Sequence, residues 1–167
     1  MGCQFATVQR NIEITDPHHI ITGEMKTGDF FGLEFPVGPI LFSTDPDAQP
    51  LGRLIYDPHP GLCVKKLAKW TSVYCALPAA PARLLRGVAR YAGVHLYSDK
   101  PDVVYANQSF LCLNCALGGE RILSFPEPCD VLDLLKKKKL AAGVSQIKIN
   151  LPDYGVVLLK WTTHHNK

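Results

Sequence analysis

The stretch Trp70–Asn107, WTSVYCALPAAPARLLRGVARYAGVHLYSDKPDVVYAN, holds the one convincing helix of the chain and its junction with a run of strands. Pro81 suits an opening helical turn, where its missing N–H leaves no bond unmade, and Gly93 suits the left-handed position just past the end. Between them Leu84, Leu85, Val88, Ala89 and Ala92 recur at helical spacing, while Arg83, Arg86 and Arg90 share another face. The spacing predicts an amphipathic helix from Pro81 to Ala92 that buries Leu85 and Val88 and leaves its arginines in solvent.

Outward from that helix the period shortens. Towards the C-terminus, Val94–Tyr97, Val103–Ala106, Phe110–Ala116, Arg121–Phe125, Val131–Leu134, Gln146–Leu151 and Val156–Trp161 read as strands, with turns at Gly118-Gly119, Pro126–Pro128, Lys136–Gly143 and Pro152–Gly155. Towards the N-terminus, proline and glycine break the first third into short pieces. Pro39–Ser43, Arg53–Tyr56, Cys63–Leu67 and Ser72–Ala76 read as strands, the last leading into the helix and on to Val94–Tyr97. Strand, helix, strand is the order of a closing α/β unit. The expected fold class is therefore α+β, mostly β. The division falls at residue 100, with an α/β part over 1–100 and an antiparallel β-domain over 101–167.

A chain of 167 residues with 47% hydrophobic and 20% charged content is globular in composition. No apolar run approaches the roughly 18 residues of a membrane span, and the opening residues lack the apolar segment of about 7 to 15 residues that marks a signal peptide. A soluble, cytoplasmic protein is expected, with no membrane partner. The formal net charge of +3 argues for no nucleic-acid partner, and the compact run Lys136–Lys139 reads as a solvated turn. Six cysteines, at 3, 63, 75, 112, 115 and 129, read as reduced thiols in a chain that needs no staples. Cys112 and Cys115 have the spacing of a metal knuckle, yet three residues apart on a strand they point to opposite faces. Neither a metal site nor a cofactor is expected.

Glycoside cleavage needs two carboxyl groups about 5 to 10 Å apart. Glu24, Asp29 and Glu34 lie near glycines, but no spacing pairs them, and no catalytic residue is assigned. A cysteine nucleophile needs a strained strand-to-helix elbow with small neighbours. Gly61-Leu62-Cys63-Val64-Lys65 puts Lys65 where the second glycine belongs and is followed by a strand. His95, between Val94 and Leu96, reads as a hydrogen-bonded core or interface residue. Trp70, Tyr74, His95, Tyr97 and Tyr105 are the candidates for contacts with carbohydrate or with an interface, because aromatic faces suit both.

The order of pieces resembles the C-terminal part of β-galactosidase-like glycoside hydrolases. The matching residues are Leu51-Gly52, Trp70, Ser72-Val73-Tyr74, Leu84-Leu85-Arg86, Ala92-Gly93-Val94-His95, Tyr97, Asp102–Asn107, Phe110-Leu111, Leu123–Pro126, Asp130-Val131 and Asp133-Leu134. The resemblance spans roughly Thr15 to Leu159. It implies the terminal strand-helix-strand part of a flavodoxin-like α/β domain, related to class I glutamine amidotransferases and used for trimerisation. A small antiparallel, β-sandwich-like domain would follow. It also implies that the catalytic (β/α) barrel is absent, since a barrel takes about 200 residues or more of alternating strands and helices. The expected role is that of a non-catalytic accessory and oligomerisation fragment, partnered by a catalytic barrel or by sister subunits. The alternative is a small carbohydrate-binding module, and a weaker third reading is an amidotransferase-like enzyme using Cys63.

Overall fold

The computed structural model describes residues 3–6 and 9–163. Its contacts divide the chain into two compact units, Met1–Val94 and His95–Lys167. The boundary comes before residue 100 for a physical reason. Ser98 bridges to Leu123, and the Ser124 N–H donates to Tyr97 O at 2.9 Å, which ties 95–100 to the second unit.

The first unit contains the strands β1 (Cys3–Ala6), β2 (Gln9–Ile14), β3 (Phe30–Val37), β4 (Ile40–Ser43), β5 (Gln49–Leu54), β6 (Pro60–Lys66) and β7 (Thr71–Cys75), followed by helix α1 (Ala82–Tyr91). Five strands form one sheet in the order β3-β2-β5-β6-β7, and β1 pairs with β4. Strand β3 was hidden in the sequence by Gly32 and Pro36. It lies at the sheet edge, where a missing N–H breaks no ladder. Ile12, Ile14, Leu51, Leu54, Leu62 and Val64 form the core with Ile21, Met25 and Leu84.

Two expectations for this unit need correction. Every described strand pair is antiparallel, whereas a flavodoxin-like unit needs parallel strands joined through crossover helices. The residues Val94–Tyr97 form no strand, so α1 does not return the chain to its own sheet. The next strand lies in the second unit. What remains of the expectation is the coarse class: mostly β, with one short helix.

Helix α1 starts and stops as its sequence dictates. Pro81 occupies the N-cap with extended backbone (φ −70°, ψ 156°). At the other end Gly93 (φ +73°) follows Ala92, with bonds from Gly93 N–H to Arg90 O (3.0 Å) and from Val94 N–H to Ala89 O (2.9 Å). That pair of bonds is a Schellman closure, and the left-handed position it requires suits glycine. The buried face differs in part from the expected one: Val88 packs against the core as expected, but Leu85 does not. Leu84 is 2% exposed and Leu85 57% exposed. Gly87 explains the rotation: a Cβ there would lie 1.9 Å from Ile21 O, so the helix backbone is pressed onto the 20–25 turn along its glycine. Arg86 is not left in solvent either. Its Nε donates to both oxygens of Glu24 (3.1 and 3.2 Å), and Arg90 pairs with the same carboxylate.

The second unit is one antiparallel sheet in the order β11-β10-β12-β9-β8, built from β8 (Val103–Ala106), β9 (Phe110–Asn114), β10 (Gly119–Asp133), β11 (Lys138–Leu151) and β12 (Val156–Thr163). The segment Pro126–Pro128, expected as a turn, lies within the long strand β10. The two prolines interrupt the pairing with β11, shifting the register between Ser124 and Cys129, but the strand continues. The real turn is short. The buried Asp133 carboxylate accepts the N–H groups of Leu135 and Lys136, both at 3.0 Å, and Lys138 already belongs to β11. Leu111, Leu113, Leu123, Phe125, Val131, Leu159 and Trp161 form the core of this unit.

Candidate functional site

The five aromatic and histidine candidates are divided between the two units. Trp70 and Tyr74 belong to the first unit. Trp70 is exposed at the β6–β7 turn, where its carbonyl accepts the Leu67 N–H at 2.8 Å, and Tyr74 donates its hydroxyl to Leu41 O at 2.8 Å. His95, Tyr97 and Tyr105 belong to the second. His95 Nε2 lies 2.9 Å from Ser124 O, which makes that nitrogen the donor, and its ring meets Tyr97 edge-on at 4.7 Å. The structure thus brings together His95 and Tyr97. Tyr105 stands on β8 with 71% of its surface exposed.

Two of the three carboxylates considered for acid–base work are occupied structurally. Glu24 holds Arg86 and Arg90, tying the 20–25 turn to α1. Asp29 accepts the Lys26 N–H at 3.0 Å and lies 3.8 Å from Arg83. Glu34 is exposed on β3. Cys63 is fully buried in the middle of β6, opposite Tyr74, and not at a strand-to-helix elbow. Cys112 is half-buried opposite Tyr105. Cys115, just past β9, is buried, with its Sγ 3.4 Å from both Pro152 O and Gly155 O. Among the described residues no group of three or more His, Cys, Asp and Glu side chains is placed to hold a metal ion. No described helix is long and apolar enough to cross a membrane.

Within the second unit a cleft of about 580 Å³ is lined by Lys100, Asp102, Leu117, Gly118, Glu120 and Arg121, among others. Its one deeply buried cation is already satisfied. Arg121 is 4% exposed and grips Asp102 with two bonds, Nε to Oδ2 at 3.1 Å and Nη2 to Oδ1 at 3.2 Å. It also donates to Gly119 O at 2.8 Å and to Leu117 O. The bonds it donates to Asp102 raise the guanidinium pKa above its ordinary value. With its charge matched and its donors turned onto the Gly118-Gly119 turn, Arg121 fixes that turn.

A different surface stands open. Register places Val103, Asn114 and Val156 in one row across β8, β9 and β12, and Tyr105, Cys112 and Leu158 in the next. Phe110 lies opposite Lys160 beyond them. These side chains share the outer face, because opposed residues in a sheet point the same way and alternate residues point oppositely. The inner face, with Leu111, Leu113, Val157 and Leu159, is buried. The outer one keeps Val103 56% exposed, and Phe110 and Val156 are exposed as well. Of these residues the sequence singled out Tyr105. Val103, Phe110 and Val156 were missed because both faces of these strands are apolar, and only the fold shows which one is covered.

No family model matches the chain, and no curated protein matches it. Solved structures do. Over 97% of its length the chain superposes on 25% of a β-galactosidase from Bacillus circulans sp. alkalophilus, with a TM-score of 0.59 and 18% identity. A β-galactosidase from Rahnella sp. R3 gives 0.49 and 15%, over 96% of this chain and 23% of that one. The fold is therefore like that of part of the Bacillus β-galactosidase, and the chain spans about a quarter of the length of these proteins.

Proposed function

We propose that this chain is a non-catalytic accessory and assembly module of a β-galactosidase-like system, one that buries apolar sheet surface against sister subunits or a catalytic barrel. The observation that carries the reading is the open outer face of β8, β9 and β12, where Val103, Tyr105, Phe110 and Val156 stand exposed in adjacent strands. Contiguous exposed apolar side chains of this kind mark interaction sites. The fold-level likeness to a quarter of a β-galactosidase supports a partial role within such a protein. The carboxylates support the absence of hydrolysis, since Glu24 and Asp29 are committed to arginines of α1.

Light scattering over a concentration series, with the chain alone and with a β-galactosidase catalytic barrel added, tests the reading. Association in at least one of the two series is expected, without turnover of an aryl galactoside by the chain alone. A monomer at every concentration in both series would contradict it. Retention on insoluble galactan by such a monomer would favour the carbohydrate-binding alternative.

A further inference from the structure

The second unit's sheet ends in a strand whose free edge matches itself. Among the described residues β8 pairs with β9 alone. The turn bond from Asn107 N–H to Phe110 O, 3.0 Å, fixes the alternation along β8. It makes Asn107, Tyr105 and Val103 the residues that exchange bonds with β9, and it turns the N–H and C=O of Val104 and Ala106 towards the open edge. Such an edge is a template for another strand unless something blunts it. Val103–Ala106 carries no charge and no proline, and its ladder with β9 has no register shift.

A strand that extends the sheet must keep its outer residues on the outer face, so opposed residues must have matching orientation. A second copy related by a twofold axis through Val104 meets that condition. Val104 then opposes Val104 of the second copy and exchanges two main-chain bonds with it. Tyr105 opposes Val103 of the second copy, and Val103 its Tyr105, giving an aromatic–β-branched pair twice on the exposed face. Ala106, small and uncharged, opposes Asp102 of the second copy. We propose that β8 is the seam of a homodimer in which the two five-stranded sheets join edge to edge. This rests on the assembly reading above and names the sister-subunit contact.

Area sets the strength. Only Val103 and Tyr105 border the seam, while Phe110 and Val156 stand one and two strands back from it, so the area buried falls far below the roughly 800 Å² per partner of a standard interface. The dimer is therefore weak and concentration-dependent.

Three substitutions test the seam by sedimentation equilibrium, with circular dichroism to verify folding. Val104→Pro removes the axial donor without taking a bond from β9, and Tyr105→Glu places a charge in each cross-strand pair. Both should weaken dimerisation at least tenfold, while Tyr154→Glu, away from the edge, should leave it unchanged. The double variant Val103→Cys/Tyr105→Cys should form an intermolecular disulfide on mild oxidation, mapped by mass spectrometry to those two positions. Opposed residues of a non-hydrogen-bonded pair stand about 4.5 Å apart at Cα, within disulfide reach. If Val104→Pro unfolds the chain, Tyr105→Glu and the cross-link decide. Wild-type self-association that ignores Tyr105→Glu and yields no cross-link would overturn the seam and leave the assembly reading standing. A wild-type monomer at all concentrations would overturn the seam, and binding to the catalytic barrel would then be the separate test of the reading.

Discussion

Gly87 and the residues beside it set the orientation of α1. Adding one methyl group there requires the Ile21 backbone to move, because the new carbon would sit 1.9 Å from its carbonyl oxygen. Gly87→Ala should destabilise the first unit by about 1–3 kcal/mol or more, the usual cost of overpacking, although alanine is the better helix former. Leu84→Ala should cost about 2–5 kcal/mol and Leu85→Ala less than about 0.5 kcal/mol, because one fills the core and the other faces solvent. Urea unfolding of the three variants checks the order, and a larger loss at Leu85 would mean that the helix is rotated from its described position. In the second unit Asp102→Ala should cost about 3–5 kcal/mol, since it strands a buried guanidinium. A loss below about 1 kcal/mol would show that Arg121 escapes to water.

At the scale of elements, an ion pair ties the loop after β4 to β6. Lys65 Nζ lies 2.8 Å from Asp45 Oδ2 and 3.3 Å from Asp47 Oδ2. The hydrogen bond from Lys65 holds the Asp45 carboxyl below its ordinary value, and Asp45 in turn raises Lys65. A depressed acid stabilises above its unfolded pKa and loses that contribution as pH falls through the folded value. A raised base stabilises below its unfolded pKa and loses its share as pH rises through its folded value. The pair should therefore contribute across the neutral range and fail at both extremes. Lys65→Met should flatten the acid limb of a stability–pH curve, and an unchanged limb would show that the pair contributes nothing. Elements differed in how far the sequence revealed them. Helix α1 was legible because Pro81 and Gly93 bracket a periodic stretch, but its buried side was not, since Leu84 and Leu85 are chemically equal and a glycine decided between them. Strand β10 was misread because two prolines resemble a turn, when they break the ladder with β11 locally and leave the strand running on. The parallel α/β unit was not found because Val94–Tyr97, apolar enough to read as the returning strand, forms none.

For the whole molecule, the resemblance to β-galactosidase-like proteins led to proteins part of whose fold this chain shares, but the flavodoxin-like domain it implied is not what the antiparallel strands of the first unit form. The surface that supports an assembly role was only partly visible. Tyr105 stood out as an aromatic residue, while Val103, Phe110 and Val156 lay in strands apolar on both faces, where pattern gives no inside or outside. The open sheet edge of the second unit becomes covered by another chain in this reading. Amide hydrogen exchange at Val104 and Ala106, followed from dilute to concentrated protein, tests it most directly. Their N–H groups point to the open edge, whereas those of Val103 and Tyr105 are already bonded to β9. Protection at Val104 and Ala106 should rise with concentration while Val103 and Tyr105 stay unchanged. Equal exchange at Val104 and Ala106 at every concentration, in a chain that also ignores an added catalytic barrel, would contradict the account.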